Sequence, residues 1–272
     1  MEGQIIKIIS NDYFVKTNNN EYICKARGKF RQENITPKVG DFCLFDEKEK
    51  VIKEIKPRIN TLSRPLVSNI NQAFIVTSLK NPDFSSNLLD KLICICILNN
   101  IEPIICITKK DLLTKSEYKD LKKIINYYKK LGIKVVYNNN INKIKKLLKH
   151  KTTVFTGQTG AGKSSLMNKL DKSLNFETNE ISKALGRGKH TTRTVSLVEI
   201  NNGKVLDTPG FSDIDLSVYK KEDIRDSFKE FKNKCKYTNC MHINEKECVV
   251  KELVNKNIIL KSRYENYIKF IK

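Results

Sequence analysis

The chain has 272 residues, room for a nucleotide-binding domain and one or two small modules. It has 51 lysines and arginines against 30 acidic residues, a formal charge of +21 that favours a polyanionic partner, although a composition rich in lysine, asparagine and isoleucine accounts for part of it. The longest apolar run, 92–98, is about a third of what a bilayer requires, and the N-terminus has no signal-peptide pattern. Five cysteines stand singly in apolar stretches, without a disulfide framework. The sequence therefore predicts a reduced, cytoplasmic protein with no membrane partner.

Residues 1–62 have the pattern of a small β-barrel. Strands are predicted at 3–9, 13–17, 21–26, 41–45 and 51–55, with turns at 18–20 and 39–41. Five close strands favour a barrel of the OB type. A loop after the third strand surrounds the ring of Phe30 with four cations, which would offer RNA phosphate contacts and base stacking; these cations are Lys25, Arg27, Lys29 and Arg31. A solvated loop that binds nothing explains the same residues equally well.

Residues 63–217 alternate between strands and helices. Strands are predicted at 72–78, 102–108, 134–137, 152–156, 194–200 and 203–207, and helices at 87–99, 117–131 and 165–170. This alternation is typical of a doubly wound α/β domain. The tract 138–151 is low in complexity, and the tail 218–272 is predicted to be helical and basic.

A phosphate-binding loop is the strongest local motif. The residues that fit G-x-x-x-x-G-K-[ST], between an apolar strand and a helix, are Gly157, Gln158, Thr159, Gly160, Ala161, Gly162, Lys163 and Ser164. Backbone N–H groups at such a helix N-terminus converge on phosphates. We expect Lys163 to reach the outer phosphates, Ser164 to ligate Mg²⁺ and Ser165 to complete the phosphate-binding set. A glycine-rich turn without a ligand is the weaker alternative.

A guanine-recognition motif precedes this loop. Thr108-Lys109-Lys110-Asp111 fits [NT]-K-x-D and ends a predicted buried strand, where such sheets hold ligands. The Asp111 carboxylate would accept hydrogen bonds from guanine N1–H and the exocyclic amine, a donor pair that adenine lacks. The Lys109 stem would pack over the base. The motif therefore favours GTP, and an ATPase of another kind is the competing interpretation.

A third motif, Asp207-Thr208-Pro209-Gly210, ends another predicted strand and fits D-x-x-G. Asp207 would hold the water shell of Mg²⁺, and the Gly210 N–H would sense the γ-phosphate. In the basic segment 186–194, either Thr191 or Thr192 would complete the Mg²⁺ shell, and the sequence does not decide between them.

The usual catalytic residue after D-x-x-G is absent from this sequence. Ras-type enzymes carry a water-orienting glutamine after D-x-x-G, and Phe211 occupies that position here. His190 is the nearest candidate to orient or deprotonate water; an RNA-contacting or solvated histidine is the equally weighted alternative. Slow intrinsic turnover that depends on a partner is the expected result.

The C-terminal segment contains a cluster of metal-binding residues. Three of the eight cysteines and one of the three histidines fall within fourteen residues: Cys235, Cys240, His242 and Cys248. Three thiolates and one imidazole make a closed tetrahedral set, which predicts one structural zinc ion. Redox-active thiols are the alternative.

The order of these motifs is permuted, because [NT]-K-x-D normally comes last. The permutation connects the segment after Asp207 to the zinc module. Together with 26–29, 39–41, 81–84 and 186–192, the motifs resemble the RsgA (YjeQ/YloQ) family of circularly permuted GTPases along essentially the whole chain. The sequence predicts a multidomain protein: an OB-fold RNA-binding domain at 1–62, a GTPase domain at 63–217 and a zinc-binding domain at 218–272. Nothing in the sequence indicates more than a monomer.

The resemblance also implies an activity and partners. GTP hydrolysis would be stimulated by the small ribosomal subunit, with rRNA bound by the barrel and zinc domains, a checkpoint role in late subunit maturation, and His190 as the catalytic residue. Three departures stand out: Thr108 replaces the more frequent asparagine, 137–140 replaces a serine-containing base-contact segment, and Arg193 replaces a threonine. An RNA-binding module that uses nucleotide only for stability is the second interpretation.

Overall fold

The computed structural model describes residues 1–62, 66–171, 195–207, 215–232 and 235–272. Its N-terminal part is a closed barrel, as the five closely spaced strands predict. The five strands are β1 (Glu2–Ile9), β2 (Asp12–Lys16), β3 (Glu21–Ala26), β4 (Phe42–Asp46) and β5 (Val51–Ile55), and pairing of β1 with β4 closes the barrel. Its interior is filled by Ile5, Val15, Cys24, Cys43, Phe45 and Ile52.

The basic loop after β3 differs from its predicted form. Residues Lys29–Gln32 form a short helix, α1, and Phe30 packs into the barrel core with 5% of its surface exposed. The prediction that this ring stacks on a base is therefore wrong, because a buried side chain has no free face. Lys25 and Lys29 remain exposed beside Asp12 and Glu33, which they contact at 2.6 and 2.9 Å.

The central sheet has five parallel strands. Their order is β10 (Lys134–Tyr137), β9 (Glu102–Thr108), β8 (Gln72–Ser78), β11 (Thr152–Gly157) and β13 (Gly203–Asp207). The antiparallel strand β12 (Ser196–Ile200) pairs with β13 and, through Ser196 opposite Lys7, with the barrel strand β1. A short hairpin of β6 (Thr61–Leu62) and β7 (Val67–Ser68) lies between barrel and sheet.

Helices cover both faces of this sheet. They are α2 (Ser86–Leu98), α3 (Lys115–Lys130), α4 (Ile141–Leu148) and α5 (Lys163–Leu170). Side chains of α2 and α3 share a core with Ala73 and Ile75, whereas those of α4 and α5 pack with Phe74 and Val76. Because successive residues of a strand point to opposite faces, the two helix pairs lie on opposite sides of the sheet.

The C-terminal helices pack on the face that carries α2. They are α6 (Lys221–Ser227), α7 (Val249–Asn255) and α8 (Lys261–Phe270). Phe228, Val250 and Tyr267 belong to the same hydrophobic core as the side chains of α2, so this region has no separate core of its own. Within the described ranges, every helix is too short or too polar to cross a bilayer.

Candidate nucleotide site and metal centre

The carboxyl ends of the parallel strands bring the nucleotide motifs to one edge of the sheet. The phosphate loop follows β11, the guanine motif ends β9, and β13 ends at Asp207 between β11 and β12. Ligands in open α/β sheets bind at this edge. Asp111 precedes Gly157 by 46 positions in the sequence. The two motifs meet here because strands pair by position in the sheet, not by order in the chain.

The phosphate loop has the backbone geometry that its glycines permit. Gly157 has φ +134°, and a Cβ atom there would lie 2.1 Å from the Val76 carbonyl oxygen of the neighbouring strand. Gly162 has φ +97° and precedes the first turn of α5. Any larger residue at Gly157 would therefore displace β8 or change the loop.

Lys163 folds back over this loop. Its Nζ donates to the carbonyl oxygens of Gly157 at 2.7 Å and Gln158 at 2.9 Å, and burial lowers the pKa of the amine. Ser164 is half-buried in the first turn of α5, beside the free N–H groups of the helix N-terminus. The loop thus holds one cation and several N–H donors close together, a suitable arrangement for phosphate oxygens.

The guanine motif contacts the phosphate loop directly. The Thr108 hydroxyl, 2% exposed, donates to the Ala161 carbonyl oxygen at 2.7 Å. Lys109 has a left-handed backbone (φ 54°), and its Nζ donates to the Asn81 carbonyl oxygen. Asp111 is exposed in the turn Lys110–Leu112. These contacts fix the two motifs relative to each other.

Lys110 joins the guanine motif to the next strand. Its Nζ lies 4.3 Å from the ring centre of Tyr118 on α3 and 5.5 Å from that of Tyr137 at the end of β10, and the two tyrosine hydroxyls are 2.9 Å apart. Asn138, the second residue of the expected base-contact segment 137–140, donates its N–H to the Ile107 carbonyl oxygen at 2.9 Å. This cluster is not predictable from the sequence, because no local pattern marks it.

Several proposed site residues lie outside the described part of the chain. His190, Thr191, Thr192 and Arg193 fall in 172–194, and Gly210 and Phe211 fall in 208–214. The side chains of Asp207 and Arg31 are also outside it. Their roles remain predictions.

The four metal-binding residues predicted from the sequence come together. The Sγ atoms of Cys235 and Cys240 lie 4.0 and 3.8 Å from that of Cys248, and His242 Nδ1 lies 3.6 Å from Cys235 Sγ and 3.3 Å from Cys248 Sγ. A tetrahedral zinc ion separates two sulfur ligands by about 3.8 Å and a sulfur from a nitrogen by about 3.6 Å. The donor set therefore fits zinc in type, number and spacing.

Surrounding groups hold the loop that carries these ligands. Glu245 accepts the N–H groups of Met241 and Ile243, both at 2.7 Å, and the Tyr264 hydroxyl donates to the His242 carbonyl oxygen at 2.7 Å. Burial raises the pKa of the Cys240 thiol to about 12 and lowers the pKa of His242. A bound cation would offset the cost of holding thiolates here.

Comparison with known proteins identifies the family. The RsgA GTPase family model matches residues 55–217, and the RsgA N-terminal domain model matches residues 2–51. The chain belongs to the RsgA GTPase family. It is accordingly a GTP-hydrolysing enzyme, and the predicted resemblance is confirmed.

Relatives and solved structures agree with this assignment. "Small ribosomal subunit biogenesis GTPase RsgA 2" of Oceanobacillus iheyensis is 45% identical, over 99% of this chain and 96% of its own length. The RsgA of Clostridium novyi is 46% identical over the same shares. The crystal structure of YloQ, described as a circularly permuted GTPase, has TM-score 0.84 at 34% identity and covers 99% of this chain and 93% of its own. YjeQ from Thermotoga maritima has TM-score 0.85 at 32% identity, covering 99% and 96%.

Proposed function

We propose that this chain hydrolyses GTP as a cytoplasmic maturation factor of the small ribosomal subunit, and that the subunit stimulates its turnover. The observation that carries the proposal is the meeting of the guanine motif and the phosphate loop at one sheet edge, joined by the Thr108–Ala161 hydrogen bond. The relatives are named as small ribosomal subunit biogenesis GTPases, and this supports the small subunit as the partner.

We assign the chemical roles as follows. Lys163 exchanges its two loop carbonyls for phosphate oxygens, and Asp111 selects guanine. Ser164, Asp207 and either Thr191 or Thr192 hold Mg²⁺, which neutralises charge on the phosphates. His190 orients the attacking water. Because Phe211 cannot do so, turnover is slow until the subunit completes the catalytic site.

The barrel is the proposed rRNA-binding domain, but its binding face needs revision. With Phe30 buried, a row on three neighbouring strands is a better candidate: half-buried Lys7 pairs with half-buried Phe14, Phe14 pairs with Ile23, and Lys7 Nζ lies 5.5 Å from the Phe14 ring centre. Ile23 is 52% exposed. OB barrels use this outer face for nucleic acids. Lys25, Arg27, Lys29 and Arg31 would then supply phosphate contacts at its end.

The zinc ion has a structural role in this proposal, because four protein ligands leave no open position. The segment boundaries 1–62, 63–217 and 218–272 stay as proposed, although the third segment shares the core of the second. A monomer remains the expected state. The zinc module would be a second rRNA contact.

The deciding experiment measures GTP hydrolysis with and without purified small ribosomal subunits, with ATP as the control nucleotide. Stimulation of GTP hydrolysis alone is the expected result. Hydrolysis that the subunit leaves unchanged, despite tight GTP binding, would favour an RNA-binding module that uses nucleotide for stability. Asp111→Asn is expected to remove the preference for guanine, and an unchanged preference would favour the ATPase interpretation.

A further inference from the structure

Lysine is concentrated in the segment from Lys109 to Lys151. Fourteen of these 43 residues are lysine, whereas 51 of all 272 residues are lysine or arginine. Only three of the 30 acidic residues lie there, so the segment carries about half of the excess positive charge. A uniform lysine-rich composition would not produce this concentration.

Helix α3 presents much of this charge on one side. Its buried residues include Ile125 and Tyr128, and five exposed lysines lie on another side of the helix. At about 100° per residue, the five fall within an arc of roughly 100° and extend about 22 Å along the helix. We call this set the lysine face: Lys115, Lys119, Lys122, Lys129 and Lys130.

The acidic residues of α3 do not neutralise the lysine face. Glu117 accepts hydrogen bonds from Thr114 and contacts Lys80 at 2.9 Å, and Asp120 contacts Lys123 at 3.0 Å. Among the described residues, no acidic side chain pairs with any of the five lysines. Lys115 and Lys119 are four residues apart, and Lys119 and Lys122 are three apart, so they repel each other and destabilise the helix. The positive charge of these lysines is therefore not neutralised within the helix and is available to bind an anion.

The lysine face lies on the side of the sheet that carries the C-terminal helices. Tyr127 of α3 contacts Glu230, beside α6, at 3.5 Å, so α3 and the zinc-containing region adjoin. In contrast, α4 and its exposed Lys143, Lys146 and Lys149 pack on the opposite side. The two lysine-rich helices therefore lie on opposite sides of the sheet.

We propose that the lysine face of α3 is a docking surface for the phosphates of double-helical RNA. It lies in the GTPase domain, outside the barrel and next to the zinc-containing region. The proposal rests on the proposed function and deepens it by naming a third RNA contact. Charge complementarity carries the assignment: five unpaired ammonium groups on a rigid helix match the row of phosphates along a duplex backbone, which proteins recognise without sequence specificity.

The experiment compares two charge-matched triple variants of the full chain. One is Lys119→Gln, Lys129→Gln and Lys130→Gln; the control is Lys143→Gln, Lys146→Gln and Lys149→Gln on α4. The probe is a duplex RNA of about two helical turns, with binding measured over a series of salt concentrations. The α3 variant is expected to lower the log–log salt slope by about 2.7, since each phosphate contact contributes about 0.9, and the α4 variant by less than about 1. Thermal melting verifies that both variants fold.

Other outcomes overturn the proposal. Equal losses in the two variants would mean general attraction, and an unchanged slope in the α3 variant, or no duplex binding by the wild type, would leave the lysine face without this role. Loss of subunit binding with duplex binding intact would assign the face to an acidic protein. Subunit-stimulated hydrolysis by the wild type, measured in parallel, tests the proposed function separately.

Discussion

The Thr108 hydroxyl is a single buried donor that connects base recognition to phosphate binding. Thr108→Val is expected to destabilise the fold by about 1–3 kcal/mol, because the Ala161 carbonyl oxygen loses its close donor, and to weaken GTP binding. Thr108→Ser keeps the hydroxyl and is the matched control. Urea unfolding and nucleotide titration are the measurements. Equal GTP affinity for the valine and serine variants would show that this hydrogen bond does not position the motif.

Lys110 acts on the base site through its tyrosine neighbours. Lys110→Gln is expected to weaken GTP binding about two- to fivefold, because each cation–π contact contributes about 0.5–1 kcal/mol at an exposed position. Hydrolysis of bound GTP in a single-turnover assay should not change, since the ring contacts of Lys110 are with α3 and the end of β10. Lys115→Gln, nearby and without such rings, is the control. A similar loss in both variants would indicate a general charge effect.

Helix α3 begins with a capping box. The Thr114 hydroxyl accepts the Glu117 N–H, and Glu117 accepts from Thr114, which lowers the pKa of the carboxyl to about 2, with a further contribution from Lys80. A depressed folded-state pKa means that this stabilisation is present above the ordinary pKa near 4.5 and is lost as the pH falls to about 2. Glu117→Gln should therefore unfold more readily than the wild type at neutral pH, with a difference that shrinks over this range in pH-dependent urea unfolding. A difference that is constant with pH would contradict it.

The loop that carries the four metal-binding residues is expected to hold zinc. Protein prepared without chelators should contain about one zinc ion per chain. Cys248→Ser should lose this ion and lower the melting temperature, because the Sγ atom of Cys248 lies within 4.0 Å of the donor atoms of the other three ligands. Cys96→Ser is the control, since Cys96 is buried in α2 outside the cluster. Metal analysis that finds no zinc in the wild type would contradict the structural role.

The sequence predicts motifs better than it predicts contacts. The phosphate loop, the guanine motif and the cysteine cluster are recognisable because their chemistry requires fixed residues at fixed spacing. Helix α4 was missed, although Ile141, Ile144 and Leu148 have helical spacing, because the lysines and asparagines around them hide the pattern. The burial of Phe30 was not predictable, because a ring beside four cations fits either a core or a surface, and only the closed barrel decides between them.

A buried ionic network joins the C-terminal helices to the GTPase domain. Arg263 on α8 donates to Asp90 on α2 at 2.5 Å and to Glu230, and Asp90 also accepts from the Tyr128 hydroxyl and the Asn266 amide, both at 2.7 Å. Burial raises the pKa of Asp90. For Arg263, burial lowers the pKa, but the neighbouring carboxylates of Asp90 and Glu230 outweigh it, so that the pKa is raised. The region after Asp207 is therefore attached to α2 by charges that water does not screen.

Arg263→Met tests this attachment. It leaves two buried carboxylates without their cation, so we expect a loss of about 3–5 kcal/mol at neutral pH. The loss should decrease as the pH falls, because Arg263 lowers the pKa of Asp90 against the effect of burial, so the methionine variant has the higher Asp90 pKa, takes up the proton at a higher pH than the wild type, and so loses its uncompensated buried charge. Arg263→Lys keeps the positive charge but does not contact both carboxylates, so its free energy of unfolding should lie between those of the wild type and the methionine variant. Urea unfolding at several pH values measures both effects. If the methionine variant were as stable as the wild type, apolar packing of Phe228 and Tyr267 would suffice to hold the C-terminal helices, and the nucleotide site would have no rigid ionic connection to the zinc-containing region.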